Sequence, residues 1–381
     1  MTSRALRRWR WLHKWSSVVC TLFLLVLCLT GLPLIFSAEI DDLLDPPPAA
    51  PVAARAMAAH VDETVRQAYH AWPGQRVRLA VFDADSARVV LHLSPHADDD
   101  FDRMHELAFD ARTGALLRDG APAGDAVMDT ILQLHVRLFA GLPGELFLGV
   151  MGLVFVAAIV SGVALYAPFM RRLRFGDIRW RRSGRLRWLD LHNFLGIVTA
   201  CWVLIVALTG FMNTLATPLF GLWQIRDVAP VLRPFAHDAP VIPATPLSAA
   251  MRAAEEAVPG MTTRFVTFPS HRNGSPDHYV VWTQGRSKLL SRFMTPVLVD
   301  ATSGRIMFVG KMPWYLRFLE ICRPLHFGDY GGLGLKCLWG VLDLATMVVL
   351  GSGLYLLLSR PRHPARLPDA GAHGLLEEEA A

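Results

Sequence analysis

Four histidines occupy matching places in two halves of a 381-residue chain. His13 lies 17 residues before Thr30-Gly31, and His192 lies 17 before Thr209-Gly210. His135 lies 26 residues before Ser161-Gly162, and His326 lies 26 before Ser352-Gly353. Each small pair falls within a long apolar run. Haem iron accepts imidazole as an axial ligand. Two histidines at each of two membrane depths would make two ligand pairs, His13/His192 and His135/His326. The chemistry they point to is electron transfer through two non-covalent, bis-histidine b-type haems. Small side chains at the same depths would leave room for a flat macrocycle. From His13 to Gly31 is 18 steps, which is about 27 Å at a rise of ~1.5 Å. Three other readings stand beside this one. The rings could be interfacial histidines, amphipathic enough for the headgroup zone. They could be residues copied by duplication without a function. They could bind a metal without haem, which would call for carboxylates or more histidines beside the four, and few are there. Arg10, Arg187, Arg137 and Arg323 lie within five residues of the histidines. Guanidinium pairs well with carboxylates such as haem propionates, although rim charge at a membrane edge explains the same residues.

The elements that must position these groups are membrane spans. The chain is 52% hydrophobic with a mean hydropathy of +0.32, which is too apolar for an ordinary soluble enzyme. Residues 16–36, 146–169, 194–215 and 338–358 are each long enough to cross ~30 Å of hydrocarbon, and Asp343 is the one charge within them. The first run is longer than a secretory signal of about 7–15 apolar residues, so it is expected to be retained. The net charge of +5 does not signal nucleic-acid binding, because the basic residues cluster beside the spans. They lie before the first, between the second and third, and after the fourth. The positive-inside rule then places both termini and the middle loop in the cytoplasm, with two long connections outside. No disulfide framework is expected from Cys20, Cys28, Cys201, Cys322 and Cys337, although the last two could meet near His326.

The chain reads as two tandem halves. Residues 12–31 align with 191–210, residues 134–144 with 325–335, and FDARTGALL (109–117) with VDATSGRIM (299–307). The fold class expected is membrane α-helical, with four transmembrane helices in duplicated two-helix halves and two extracytoplasmic α+β modules. The expected segments are 1–37 (N-terminus and first span), 38–124 (first module), 125–170 (interfacial helix and second span) and 171–190 (basic loop). They continue with 191–216 (third span), 217–312 (second module), 313–360 (interfacial segment and fourth span) and 361–381 (tail). The spacing predicts helices over 54–71, 125–139 and 248–258. It predicts strands over 77–82, 88–93, 106–110, 264–268, 279–282 and 295–300. The segment 314–325 is read as interrupted at Pro324, 46–48 and 230–246 as proline-rich linkers, and 364–381 as disordered.

Three lesser candidates remain. Asp343, as an intramembrane carboxylate, is a functional candidate by default. It could take up protons or tune a haem, or simply hydrogen-bond to Thr209 or Asn213. His92 and His96 with Asp98, Asp99 and Asp100 could hold a metal, but a solvated loop explains them as well, and the same holds for His271 and His278. No glycine-rich nucleotide loop, covalent haem attachment motif or flavin fingerprint is present. The electron donor is therefore expected to be another molecule.

With its LH…TG spans (Leu12-His13…Thr30-Gly31 and Leu191-His192…Thr209-Gly210), its LH…SG segments and its turns Asp110…Gly114 and Asp300…Gly304, the chain resembles the PepSY-associated transmembrane family over nearly all of residues 8–360. In length and layout it is similar to the inner-membrane ferric-siderophore reductases of that family. That resemblance implies PepSY-like external modules, a multi-pass inner-membrane location and a lipid partner. It also implies a periplasmic acceptor, a ferric siderophore above all, whose iron(III) would be reduced. The donor would be a cytoplasmic reductant or a quinol. The alternative is a non-enzymatic PepSY scaffold that regulates a periplasmic protease or sensor.

Overall fold

Lipid offers no partner to a peptide N–H or C=O, so an apolar run crossing a bilayer satisfies its own backbone as a helix. The computed structural model describes residues 2–44, 46, 60–84, 86–99, 104–122, 125–169, 175–235, 239–271, 275–286 and 293–359. The first half runs α1 (Ser3–Ile35), α2 (Ser37–Leu44), α3 (Val61–Ala71), β1 (Arg76–Asp83), β2 (Arg88–Ser94), β3 (His105–Asp110), β4 (Leu116–Asp119), α4 (Asp125–Arg137) and α5 (Gly141–Phe169). The second runs α6 (Gly184–Thr214), α7 (Ala216–Trp223), a π-helical turn (Gln224–Val228), α8 (Ala229–Leu232), α9 (Leu247–Ala257), β5 (Met261–Thr267), β6 (His278–Gly285), β7 (Met294–Asp300), β8 (Ile306–Val309), α10 (Trp314–Phe327) and α11 (Gly332–Leu358).

Four helices are long and apolar enough to cross a membrane: Ser3–Ile35, Gly141–Tyr166, Gly184–Thr214 and Asp329–Leu358, the last including a short 3-10 turn. The chain is a multi-pass membrane protein. Most of these helices outrun the apolar stretches, because apolarity marks only hydrocarbon depth while the helix continues into polar surroundings. At the start of α1, Thr2 Oγ1 accepts the Ala5 amide at 3.3 Å, an N-terminal cap. α1 packs on α5 and α11, and α6 packs on the same two, so α1 and α6 face each other across the bundle. Leu22, Leu29, Val150 and Val341 point outward and are more than half exposed, as a lipid-facing surface requires.

The strands of both halves form one antiparallel sheet, ordered β4-β3-β2-β1-β5-β6-β7-β8. The sequence predicts two separate modules. The seam between them is a direct pairing of β1 with β5, Leu79 opposite Thr267 and Val81 opposite Phe265. α3 and α9 contribute Val61, Ala68, Leu247, Ala250, Met251 and Ala254 to one core with sheet residues such as Leu91, Phe109, Val281 and Val299. β4 and β8 go unseen in the sequence because each is a four-residue edge strand without alternating burial. The proline-rich stretch begins as helix, not linker. Pro230 sits in the first turn of α8, where a missing N–H costs nothing. α10 likewise continues through Pro324 to Phe327. α4 ends earlier than predicted, at Arg137, because Leu138 and Phe139 take left-handed φ values of 49° and 58°, rare for residues with a Cβ. The predicted linker at 47–48, the start of the first predicted helix at 54–59 and the predicted tail at 364–381 lie outside the described residues.

Arg78, almost fully buried on β1, ties the seam. Its guanidinium donates to Ser94 Oγ (3.1 Å), the His96 carbonyl (2.7 Å) and Ser270 Oγ (3.3 Å). Two matching turns close β3–β4 and β7–β8. Asp110 accepts the Arg112 and Thr113 amides at 2.7 and 3.3 Å, and Asp300 accepts the Thr302 and Ser303 amides at 3.0 and 2.6 Å. The Arg112 guanidinium and these amides hold the Asp110 carboxyl below its ordinary range. Burial pushes Asp300 upward, but the Ser303 and Thr302 donors outweigh it and leave that carboxyl lowered too.

Two outcomes follow from the seam and the turns. Arg78→Ala strips a charged donor from three acceptors and costs up to about 3 kcal/mol per charged hydrogen bond lost; hydrogen exchange should show β1 and β5 amides losing protection together. Because both turn carboxyls are depressed in the folded state, their stabilisation is complete above the unfolded value near ~3.9 and is lost as pH falls through the folded values. Acid melts of the wild type should therefore fall more steeply below about pH 4 than those of Asp110→Asn/Asp300→Asn.

Candidate functional site

The four histidines are brought together in two pairs. His13 on α1 and His192 on α6 have ring centroids 6.4 Å apart with planes at 67°. His135 on α4 and His326 on α10 are also 6.4 Å apart, with planes at 62°. These are the pairs the spacing predicts. The second lies on the sheet side of the bundle and the first on the far side.

One device orients all four rings. His13 Nδ1 lies 2.9 Å from the Ala158 carbonyl and 3.3 Å from Ser161 Oγ. His192 Nδ1 lies 3.0 Å from the Val349 carbonyl and 3.1 Å from Ser352 Oγ. His326 Nδ1 lies 3.0 Å from the Val206 carbonyl and 3.4 Å from Thr209 Oγ1. His135 Nδ1 lies 2.9 Å from Thr30 Oγ1 and is bonded to the Leu27 carbonyl. In each case a carbonyl at position i and a hydroxyl at i+3 receive the ring, and a glycine follows at i+4: Gly162, Gly353, Gly210 and Gly31. Positions i, i+3 and i+4 share a helix face. The hydroxyl protons are already spent on the helix backbone, as in Thr30 to Val26 (2.7 Å), Thr209 to Ile205 (2.7 Å) and Ser161 to Ala157 (2.6 Å). Both partners therefore accept, so the proton sits on Nδ1. Nε2 is left with a bare lone pair, the tautomer that could ligate a metal.

The glycines matter for the rings themselves. A Cβ built on Gly210, Gly162, Gly31 or Gly353 would lie 2.9, 3.1, 3.2 or 3.3 Å from the Cε1 of its histidine. The sequence reading gave these small residues the task of making room for a macrocycle; what they admit here is the imidazole edge. Burial pushes His135 down to about 4, with the nearby His326 adding to the effect, and burial lowers His326 as well. Burial thus disfavours the charged form of both rings.

The arginines divide. Arg137 pairs with Glu145 at 3.0 Å, and Arg323 with Glu320 at 2.7 Å. Both carboxylates are deeply buried while the arginines stay partly exposed, so each guanidinium is a partly solvated charge tied to a buried partner. Arg10 and Arg187 lie exposed near the far-side pair. Sequence reasoning missed Glu145 and Glu320, and with them two further buried pairs at helix ends. Arg179 grips Asp190 at 2.7 and 2.9 Å, and Lys336 donates to both Glu39 oxygens at 2.8 Å. Asp343 is likewise not the lone ionisable group on the spanning helices. It hydrogen-bonds with Cys28 on α1; Thr209, expected as its partner, turns instead to backbone and His326. Asp343 Oδ2 and Asn213 Oδ1 are buried without a partner among the described residues. All five cysteines are free. No cluster of three or more metal-ligating side chains occurs among the described residues, including around His92 and His96. His278 is buried, with Nδ1 2.7 Å from Ser275 Oγ and its ring against Phe235.

The profile of the PepSY-associated TM region matches residues 10–360. An uncharacterized protein of Pseudomonas aeruginosa is 27% identical over 277 residues, covering 64% of this chain and 65% of that protein. The match thus spans slightly less than two thirds of that relative's length.

The glycine contacts yield a direct test. Gly210→Ala must displace His326 and should cost about 1–3 kcal/mol, as overpacking does. Gly351→Ala, on α11 two residues before Gly353 and with nothing within 4 Å, should leave the thermal transition in detergent unchanged.

Proposed function

The chain belongs to the PepSY-associated transmembrane family, and we propose that it is a di-haem electron-transfer protein reducing a ferric siderophore or similar iron(III) complex across the bacterial inner membrane. The observation that carries this reading is the spacing and tautomer of the two histidine pairs. A metal held between two imidazoles at ~2 Å places their ring centroids about 6 Å apart, and both pairs stand at 6.4 Å. Each pair offers two imidazoles with no third protein ligand close by among the described residues. Such a set suits an iron whose other four positions come from a porphyrin. His13 and His192 would hold one haem, and His135 and His326 the other. When bound, each haem supplies a one-electron iron(III)/iron(II) couple tuned by its axial ligands and surroundings.

The residues of the chain do the rest. Hydrogen bonds from Nδ1 to helix carbonyls raise the basicity of Nε2 and fix each ring plane. The two depths let charge traverse a layer in which an isolated ion is costly. Arg10 and Arg187, both exposed, would meet propionates on the far side. In this reading the basic loops and both termini face the cytoplasm and the sheet stands in the periplasm. His13/His192 would hold the group that takes electrons from a cytoplasmic donor or quinol, and His135/His326 the group that passes them to the acceptor. Reduction releases iron because oxygen ligands that hold iron(III) tightly hold iron(II) weakly.

Purified protein from haem-replete cells should show a reduced bis-imidazole b-type spectrum with two haems per chain. His13→Ala and His135→Ala should each remove about half of it, and iron(III)-siderophore reduction should stop in both. A colourless preparation would count against this reading and for the scaffold alternative.

A further inference from the structure

Where the acceptor docks can be read from a cavity on the sheet side, an inference that rests on the reductase reading. The cavity measures about 380 Å³ and is lined by Trp223, Arg226, Asp227, Val228, Phe308 and Lys311, a size suited to a small-molecule ligand. One wall is the π-helical turn Gln224–Val228 that follows α7, and such turns concentrate at functional sites. The other wall is the end of β8.

Aromatic rings lead from the cavity to α10, the helix that carries His326. Trp223, only 5% exposed, has its ring 6.4 Å from Phe220 and 6.0 Å from Trp282. Phe220 lies 6.0 Å beneath the Arg323 guanidinium, on α10 three residues before His326. The rim chemistry is cationic. Arg226 and Lys311 are exposed and face a single carboxylate, Asp227, so the rim is net positive. We propose that this cavity docks an anionic, oxygen-ligated iron(III) chelate, the acceptor of the reductase.

Full-length protein in neutral phosphatidylcholine nanodiscs, dialysed in the dark against tris(oxalato)iron(III), tests the docking without any turnover. Wild type should retain the chelate. Arg226→Gln/Lys311→Gln should bind about tenfold more weakly, which is the loss of two partly exposed charge contacts, and added salt should weaken wild-type binding. The haem spectrum of this variant should match wild type, so failed docking and failed haem ligation are told apart. After dithionite reduction, the variant should be reoxidised about tenfold more slowly by tris(oxalato)iron(III), following its weaker binding, but not by the cation hexaammineruthenium(III). Equal chelate binding by both proteins, or an equal slowing toward both oxidants, would overturn the proposal. In a parallel set of nanodiscs containing phosphatidylglycerol, a variant that loses retention of that lipid while binding the chelate as wild type does would also overturn it and make the cavity a headgroup seat.

Discussion

Four hydrogen bonds from imidazole Nδ1 to the backbone of a neighbouring helix set the geometry of the site. A helix carbonyl has a second lone pair beyond the one taken by its own i+4 amide, and each histidine uses it. The bond needs close approach, so a glycine stands one residue past the hydroxyl. It needs an acceptor on both sides of the N–H, so a serine or threonine whose proton points back along its own helix stands three residues past the carbonyl. Each ring thus depends on packing within one half: His13 on α5, His135 on α1, His192 on α11 and His326 on α6. Each ring-to-ring meeting then brings a histidine of one half to a histidine of the other.

Around these rings the helix ends are fastened by buried charge. Glu145 is met by Arg137 and by the Thr217 hydroxyl at 2.9 Å, which links α5 to α4 and α7. Lys336 and Glu39 link α11 to α2, and Arg179 pins the start of α6 through Asp190. Buried ion pairs contribute little net stability once desolvation is counted. Their effect is on register: a helix slipped by one turn would leave a charge unpaired in a poor solvent. The meeting of the rings needs helices held in a fixed register, and these ion pairs supply that at the bundle's edges.

Much of this was legible in the sequence because it depends on local periodicity and repetition. The four spans, both histidine pairs and the Asp…Gly turns are patterns of type and spacing. The role of Thr-Gly and Ser-Gly was half legible: their depth was evident, but contact with a ring is decided by which helix lies alongside. The ion pairs of Glu145 and Glu320 were hidden, since a carboxylate near a span end looks the same whether it meets water or a guanidinium. The β1–β5 seam was hidden for a similar reason. Val77–Phe82 and Arg264–Phe268 each read as strands, but nothing local says that two edges from distant segments will pair. Helix through Pro324 and the left-handed Leu138 and Phe139 are imposed by packing against local preference.

The seam has a mechanical meaning. Proteins built from paired membrane halves often work by rocking one half against the other, opening a path first to one side and then to the other. Here the two hairpins are stitched through a continuous eight-stranded sheet, with Arg78 riveted across the join. Rocking would tear the hydrogen bonds that pair β1 with β5. The continuous sheet ties the two hairpins at a fixed separation and works against cycling of that kind.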